Sequence, residues 1–265
     1  LYILTPTRKL KIKEKQKMKK LFTEVKDTMR AIPGIVTAVF LFSVVAMNLL
    51  ANKAIFNLPW LASTAGTLVS WISFLCMDVV CKRFGARAAT IMNSVTMVMA
   101  LLGSVLFMLI VKIPGNWASS YAYTDEATVN AINASIDGTF SSAWYVILGS
   151  SAAMFIGGLV NAVVNKLIGK KFDKSDTYGG FALRSFISTS AGQYADNFAF
   201  NLFVAYIFFG WPLKQVIIIS AVEMLIELVF EIIFSPAGYR LAKNWKRDNV
   251  GKAYIERYGE KYASK

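Results

Sequence analysis

Six long apolar runs, at residues 31–51, 65–81, 88–111, 142–164, 186–209 and 216–234, dominate the sequence. Crossing a hydrocarbon core takes roughly 17–25 apolar residues wound as a helix, which satisfies every backbone hydrogen bond without water. Each run meets that length, so the sequence predicts an all-α integral membrane protein with six transmembrane helices. The chain then divides into a basic N-terminal segment at 1–30, a six-helix membrane domain at 31–235 and a basic tail at 236–265. The apolar run behind the basic N-terminal segment is too long for a signal peptide and reads as the first span.

Charge follows the same division. The chain is 55% hydrophobic yet carries a net charge of +13, and segregation reconciles the two. Of its 29 Lys and Arg, 26 fall in the N-terminal segment, the second-to-third and fourth-to-fifth connections and the C-terminal tail. Only Lys53, Lys112 and Lys214 fall on the opposite side. The positive-inside rule places both termini in the cytoplasm. Eight of the thirteen residues from Arg8 to Lys20 are basic. Next to a span, such a run is attracted to anionic membrane lipid, and it carries no case for nucleic acid.

The absence of histidine excludes His-dependent acid–base and nucleophile systems and most zinc sites. Cys76 and Cys81 share one apolar run on different sides of any helix, so no disulfide framework exists. Neither a metal nor a cofactor is called for. The polar stretch at 115–141 carries Trp117, Tyr121 and Tyr123, which suit a membrane surface or a solvated loop. Within it, Thr124, Asp125 and Glu126 could cap a short helix.

Five acids fall inside the expected spans: Asp78, Asp196, Glu223, Glu227 and Glu231. Each costs about 2.5–3.5 kcal/mol at a helix centre, so each needs a partner or a watery cavity. In the fifth run, Arg184, Ser185, Ser188, Thr189, Gly192, Gln193, Asp196 and Asn197 recur at steps of three and four and share one helical face. In the sixth, Glu223, Glu227 and Glu231 form a ladder about 12 Å long. A short turn at 210–212 makes these two spans antiparallel neighbours, which suggests an Arg184–Glu231 ion pair. Asn48 and Asn52 flank the end of the first span, and Asn161 lies in the fourth, behind Gly157 and Gly158, which permit close helix approach. Amides and carboxylates of this kind suit a small planar heterocycle with paired N–H groups.

Asn52, the Ser73–Asp78 segment with Phe84, Gly85 and Ala88, then Arg184, Ser188, Thr189, Gly192, Gln193, Asp196 and Phe200, and finally Pro236 and Tyr239, resemble the queuosine precursor transporter family, also called the vitamin uptake transporter family. The resemblance covers residues 48–240. It implies an inner-membrane carrier that imports 7-deazaguanine precursors for salvage into a modified tRNA nucleoside. The implied substrate-binding set is Asn52, Asp78, Asn161, Arg184, Ser188, Thr189, Gln193, Asp196 and Asn197, with Glu223, Glu227 and Glu231 as coupling or charge-pair candidates. The chain departs from the family pattern at Gly158 and Asn161, where Gln and Asp are usual, at Glu227, where Lys is usual, and at Lys82.

Two alternatives stay open. One is the substrate-binding membrane subunit of a larger energised vitamin or nucleobase uptake complex, in keeping with the lack of a P-loop. The other is a membrane-embedded enzyme, against which the missing histidines and the lack of an acidic metal motif count. A homodimer or an energising complex would each suit a chain of this size.

Overall fold

The computed structural model describes residues 6–121, 125–172 and 178–263. Side chains are described within those ranges except at 6–12, 56–57, 120–121, 162, 165–166, 169–172, 178–185, 235 and 260–263. Eight α-helices occupy nearly all of it: α1 (Pro6–Ala31), α2 (Gly34–Leu50), α3 (Thr67–Phe84), α4 (Ala86–Val111), α5 (Glu126–Phe172), α6 (Tyr178–Phe200), α7 (Leu213–Arg247) and α8 (Lys252–Ala263). The six apolar runs fall in order on α2 to α7. By length and composition, Ala86–Val111 and Glu126–Asn161 are each apolar enough to cross a membrane. The pair α1–α2 passes only when taken together, and it bends by 103° at Ile32–Pro33. Charged residues lower the hydropathy of the others: Asp78, Lys82 and Arg83 on α3, and the three glutamates on α7.

Three elements differ from the sequence expectation. The connection after α2 folds into an antiparallel hairpin, β1 (Ala54–Asn57) with β2 (Ala62–Thr64). Gln215 at the start of α7 ties this hairpin down by donating to the Leu58 carbonyl at 2.6 Å. The polar stretch at 115–141 holds one 3-10 turn, Trp117–Tyr121, and the helix expected to be capped at 124–126 is not a short one. Instead Asp125 caps α5 by accepting from the Thr128 backbone N–H at 2.8 Å, and α5 then runs unbroken for 47 residues. That is about 70 Å at 1.5 Å per residue, twice the hydrocarbon thickness, so its first turns extend beyond any core. Trp117 folds back on this extension, donating to Asp137 at 2.7 Å and stacking on Phe140. Tyr123 and Thr124 lie outside the described residues. Finally, the expected tail at 236–265 begins inside α7, which continues through Pro236.

Apolar faces turn both ways. Phe40 and Val44 of α2, Val80 of α3, Met92 of α4 and Ile147 of α5 are buried together, joined by Ala242 and Trp245 of α7 and Tyr254 of α8. Yet Phe42, Leu102, Leu106, Leu109, Phe155, Leu225, Ile232 and Ile233 are exposed on the outer faces of the same bundle. An apolar girdle of that extent is untenable in water and is what hydrocarbon covers. The chain is a membrane protein.

The last turns of α1 and the helix α8 gather at one end of the bundle. Glu24 of α1 pairs with Arg87 of α4 at 3.0 Å, and Asp27 of α1 pairs with Arg257 of α8 at 2.7 Å. Arg83 donates twice to the Val250 carbonyl, at 3.0 and 2.7 Å. The hairpin marks the opposite end.

Candidate functional site

Helices α5 and α6 approach through glycine. A Cβ on Gly157 would come within 2.7 Å of the Asp196 Cβ and 2.8 Å of the Gly192 carbonyl oxygen. One on Gly192 would come within 2.7 Å of the Asn161 Cβ. Only hydrogen fits at either position, and the crossing it permits sets Asp196 against Gly157 and Asn161 against Gly192. Gly158, expected to share this role, has open space around its Cα.

Beyond that crossing, α6 faces α7 in an antiparallel register that pairs amides with carboxylates. Asn201 Nδ2 donates to Glu223 Oε2 at 2.7 Å, Asn197 Nδ2 to Glu227 Oε2 at 2.9 Å, and Gln193 Nε2 to Glu231 Oε2 at 3.4 Å. The last is a weak rung. Steps of four on both helices keep the rungs in line. The other oxygen of two glutamates is met from α3: Thr67 donates to Glu223 Oε1 at 2.7 Å and Ser70 to Glu227 Oε1 at 3.1 Å. Asn201 opens a π-helical segment, Asn201–Tyr206, which continues α6. Such wider turns recur at functional positions because they re-aim side chains. On the flank of the same α3–α7 contact, Trp71 stacks on Phe234 at 4.3 Å and on Phe230 at 5.2 Å.

Two larger cavities lie along this polar seam, beside a smaller one of about 260 Å³ next to Trp71. The one nearer the hairpin, about 550 Å³ with its mouth, is lined by Asn48, Thr67, Ser70, Asn197, Glu223 and Glu227 among others. The one nearer the chain termini, about 650 Å³, is lined by Asp78, Asn161, Thr189, Gln193 and Glu231 among others. Phe74, Met154 and Asp196 line both. Asp196 thus stands where the chambers meet, with an aromatic ring and a thioether beside it. In the chamber nearer the termini, two buried acceptors, Asn161 Oδ1 and Gln193 Oε1, have no partner.

The sequence-derived set is therefore brought together in large part. Asp78, Asn161, Thr189, Gln193, Asp196 and Glu231 line one chamber, and Asn197, Glu223 and Glu227 the other. Asn52 lines neither: it donates to the Leu49 carbonyl near the hairpin, and Asn48, one turn earlier, takes the cavity position. Ser188 is buried outside both linings. The Arg184 side chain, and with it the suggested pair with Glu231, lies outside the described residues. Thr67, Ser70 and Asn201 were missed. Asn201 continues the 193–197 step of four, and Thr67 and Ser70 lie at helical spacing along α3 from Asp78. The glutamate ladder was read correctly as a ladder, but its partners are amides and hydroxyls. Among the described residues no three His, Cys, Asp or Glu side chains converge as metal ligands.

No curated protein and no solved structure matches the chain. The family model described as putative vitamin uptake transporter matches residues 64–241, which takes in α3 to α7 and all of the polar seam except Asn48. An apolar-faced helical bundle with chambers at both ends of one polar seam suits that family, and the chain belongs to it.

Proposed function

We propose that this chain is a six-span carrier of the bacterial cytoplasmic membrane, with both termini cytoplasmic. It imports a queuosine precursor of the 7-deazaguanine type, or a similar small planar heterocycle, for salvage. The observation that carries this reading is the sharing of Asp196 by two chambers, one toward each end of the bundle. A carrier needs one site that faces each side in turn, and a residue common to both cavities is suited to it. A carboxylate there accepts from paired N–H groups such as those on the edge of a 2-amino-pyrimidinone ring. Phe74 offers that ring an apolar face. The exposed basic residues at the terminal end support the orientation.

The binding set is Asp78, Asn161, Thr189, Gln193 and Asp196 in one chamber and Asn197 in the other. Glu223, Glu227 and Glu231 hold α6 and α7 in register. Transport activity follows the family, and no enzymatic step is part of the reading. The test is uptake of labelled 7-deazaguanines by cells that lack their own synthesis and express this chain. Accumulation that depends on the chain is expected. Failure for every such base, with the protein shown to be inserted, sinks the substrate. The purified chain in liposomes separates a self-sufficient carrier from the membrane subunit of a larger complex, which binds substrate but does not move it alone.

A further inference from the structure

Helix α1 sorts its side chains into three faces. Glu24 and Thr28 are buried against the bundle, and the charges of Glu24 and Asp27 are met by Arg87 of α4 and Arg257 of α8. The second face is apolar. Met18, Phe22, Val25 and Met29 follow one another at steps of four, three and four, with Leu21 beside them, and so form one stripe. At the end nearest the bend, Met29 packs against the buried core of the bundle. Two turns back the same stripe has passed the bundle's edge: Phe22 is 73% exposed, and Met18 and Leu21 are exposed with it. The third face is basic. Lys15, Lys19, Lys26 and Arg30 border the stripe on one side and Lys13 and Lys17 on the other, all of them exposed. Glu14, one turn before Met18, closes the stripe.

Between α1 and α2 the chain turns by 103° at Ile32–Pro33. The 17 residues of α2 carry no charge and bury Val36, Phe40 and Val44 in the bundle core, so α2 runs among the spans. A turn near a right angle therefore lays α1 across the end of the bundle, along the membrane plane. Ile35, just past the bend, is exposed, so bare apolar surface stands on both sides of it. We infer that α1 is an interfacial helix that docks on anionic phospholipid of its own membrane. Met18, Leu21 and Phe22 insert among the acyl chains, and the flanking lysines lie on the headgroup phosphates. An apolar stripe edged by bases along one helix is the pattern that lies in an interface, where long lysine stems reach outward to the phosphates. Charge alone draws the basic run toward anionic lipid; the fold adds the face that enters and the angle at which it does so. An acidic soluble partner would compete with a bilayer that the two-residue connection to α2 holds permanently against the same face. The docking rests on the bundle being in a membrane and involves no part of the substrate site.

The test is amide hydrogen exchange on the full chain in nanodiscs of phosphatidylcholine, with and without phosphatidylglycerol. Amides of residues 15–23 should exchange at least about tenfold more slowly in the anionic discs, since each base near such a surface shifts the docked population roughly fivefold. Residues 28–31, held against the bundle in either lipid, should exchange alike in both. Phe22→Ser keeps every charge and, at so exposed a position, leaves the protein's own packing intact. It should remove about tenfold of the protection, the weight of one buried aromatic ring. Replacing Lys15, Lys19 and Lys26 together by Gln keeps the stripe and should narrow the difference between the two lipids. Equal exchange of the unaltered chain in both discs overturns the inference and returns the basic face to a soluble partner. Protection undiminished by Phe22→Ser overturns it as well, reducing α1 to charge attraction alone.

Discussion

Asn201 and Glu223, on neighbouring helices and 22 residues apart in sequence, meet at 2.7 Å between Nδ2 and Oε2. The same carboxylate accepts from Thr67 of a third helix at 2.7 Å. One buried acid thus joins α3, the π-helical end of α6 and α7. Replacing Asn201 by Leu keeps the bulk and removes the donor, leaving a buried carboxylate oxygen unsatisfied. A loss of about 1–3 kcal/mol is expected. It is read as a lowered midpoint of thermal unfolding in detergent, and an unchanged midpoint would show that the rung contributes nothing.

Asp196 borders both chambers, so its charge should matter to transport from either side. Asp196→Asn preserves shape and replaces an acceptor-only group by one that also donates. Uptake of the labelled base should fall at least about tenfold, the weight of one charge-assisted hydrogen bond, with membrane insertion unchanged. Uptake equal to that of the unaltered chain would remove Asp196 from the site.

The α5–α6 crossing makes opposite predictions for adjacent glycines. Gly157→Ala drives a methyl group against Gly192 and Asp196, and should destabilise the protein by about 1–3 kcal/mol through overpacking. Gly158→Ala meets nothing within 4 Å. There the lower backbone entropy of the unfolded chain should stabilise it by about 0.4–1 kcal/mol. Thermal midpoints of the two variants should therefore move in opposite directions.

The start of α5 has an acid-sensitive cap. Hydrogen bonds from the Thr128 side chain, and then from the Thr128 backbone, hold the Asp125 carboxyl below its ordinary range. A group whose folded pKa is depressed contributes stability above its unfolded value, about 3.9 for aspartate. That contribution is lost as pH falls through the lower, folded pKa. Protection of the Thr128 and Val129 amides, taken as exchange relative to the intrinsic rate at each pH, should fall in that acid window and stay flat above about pH 5. The fall should vanish in Asp125→Ala, where the cap is missing at every pH.

The helices were legible because their signal is local. Each apolar run reports its own length, and the folded chain places a helix on every one. The glutamate ladder and the Gln193–Asn197 stripe were legible for the same reason, since a period near four puts residues on one face whatever lies opposite. The hairpin was not. Its strands are four and three residues long and owe their place to Gln215, more than 150 positions away. The unbroken length of α5 was missed because polarity was taken to end a helix. A helix leaving the membrane simply becomes polar, and Asp125 rather than any residue near 141 is what starts it.

Composition and periodicity by themselves determined that this chain is a helical membrane protein, which way its basic residues divide and which side chains are too costly to sit in lipid. Hydrophobic length, charge asymmetry and helical period are properties of contiguous sequence, so no neighbour is needed to read them. Which costly groups satisfy which was decided only in three dimensions. Pairing Glu223 with Asn201, and sharing Asp196 between two cavities, depends on the register and separation of helices that sequence spacing does not encode. The two glycines at the α5–α6 crossing set that separation, and the polar rungs set that register.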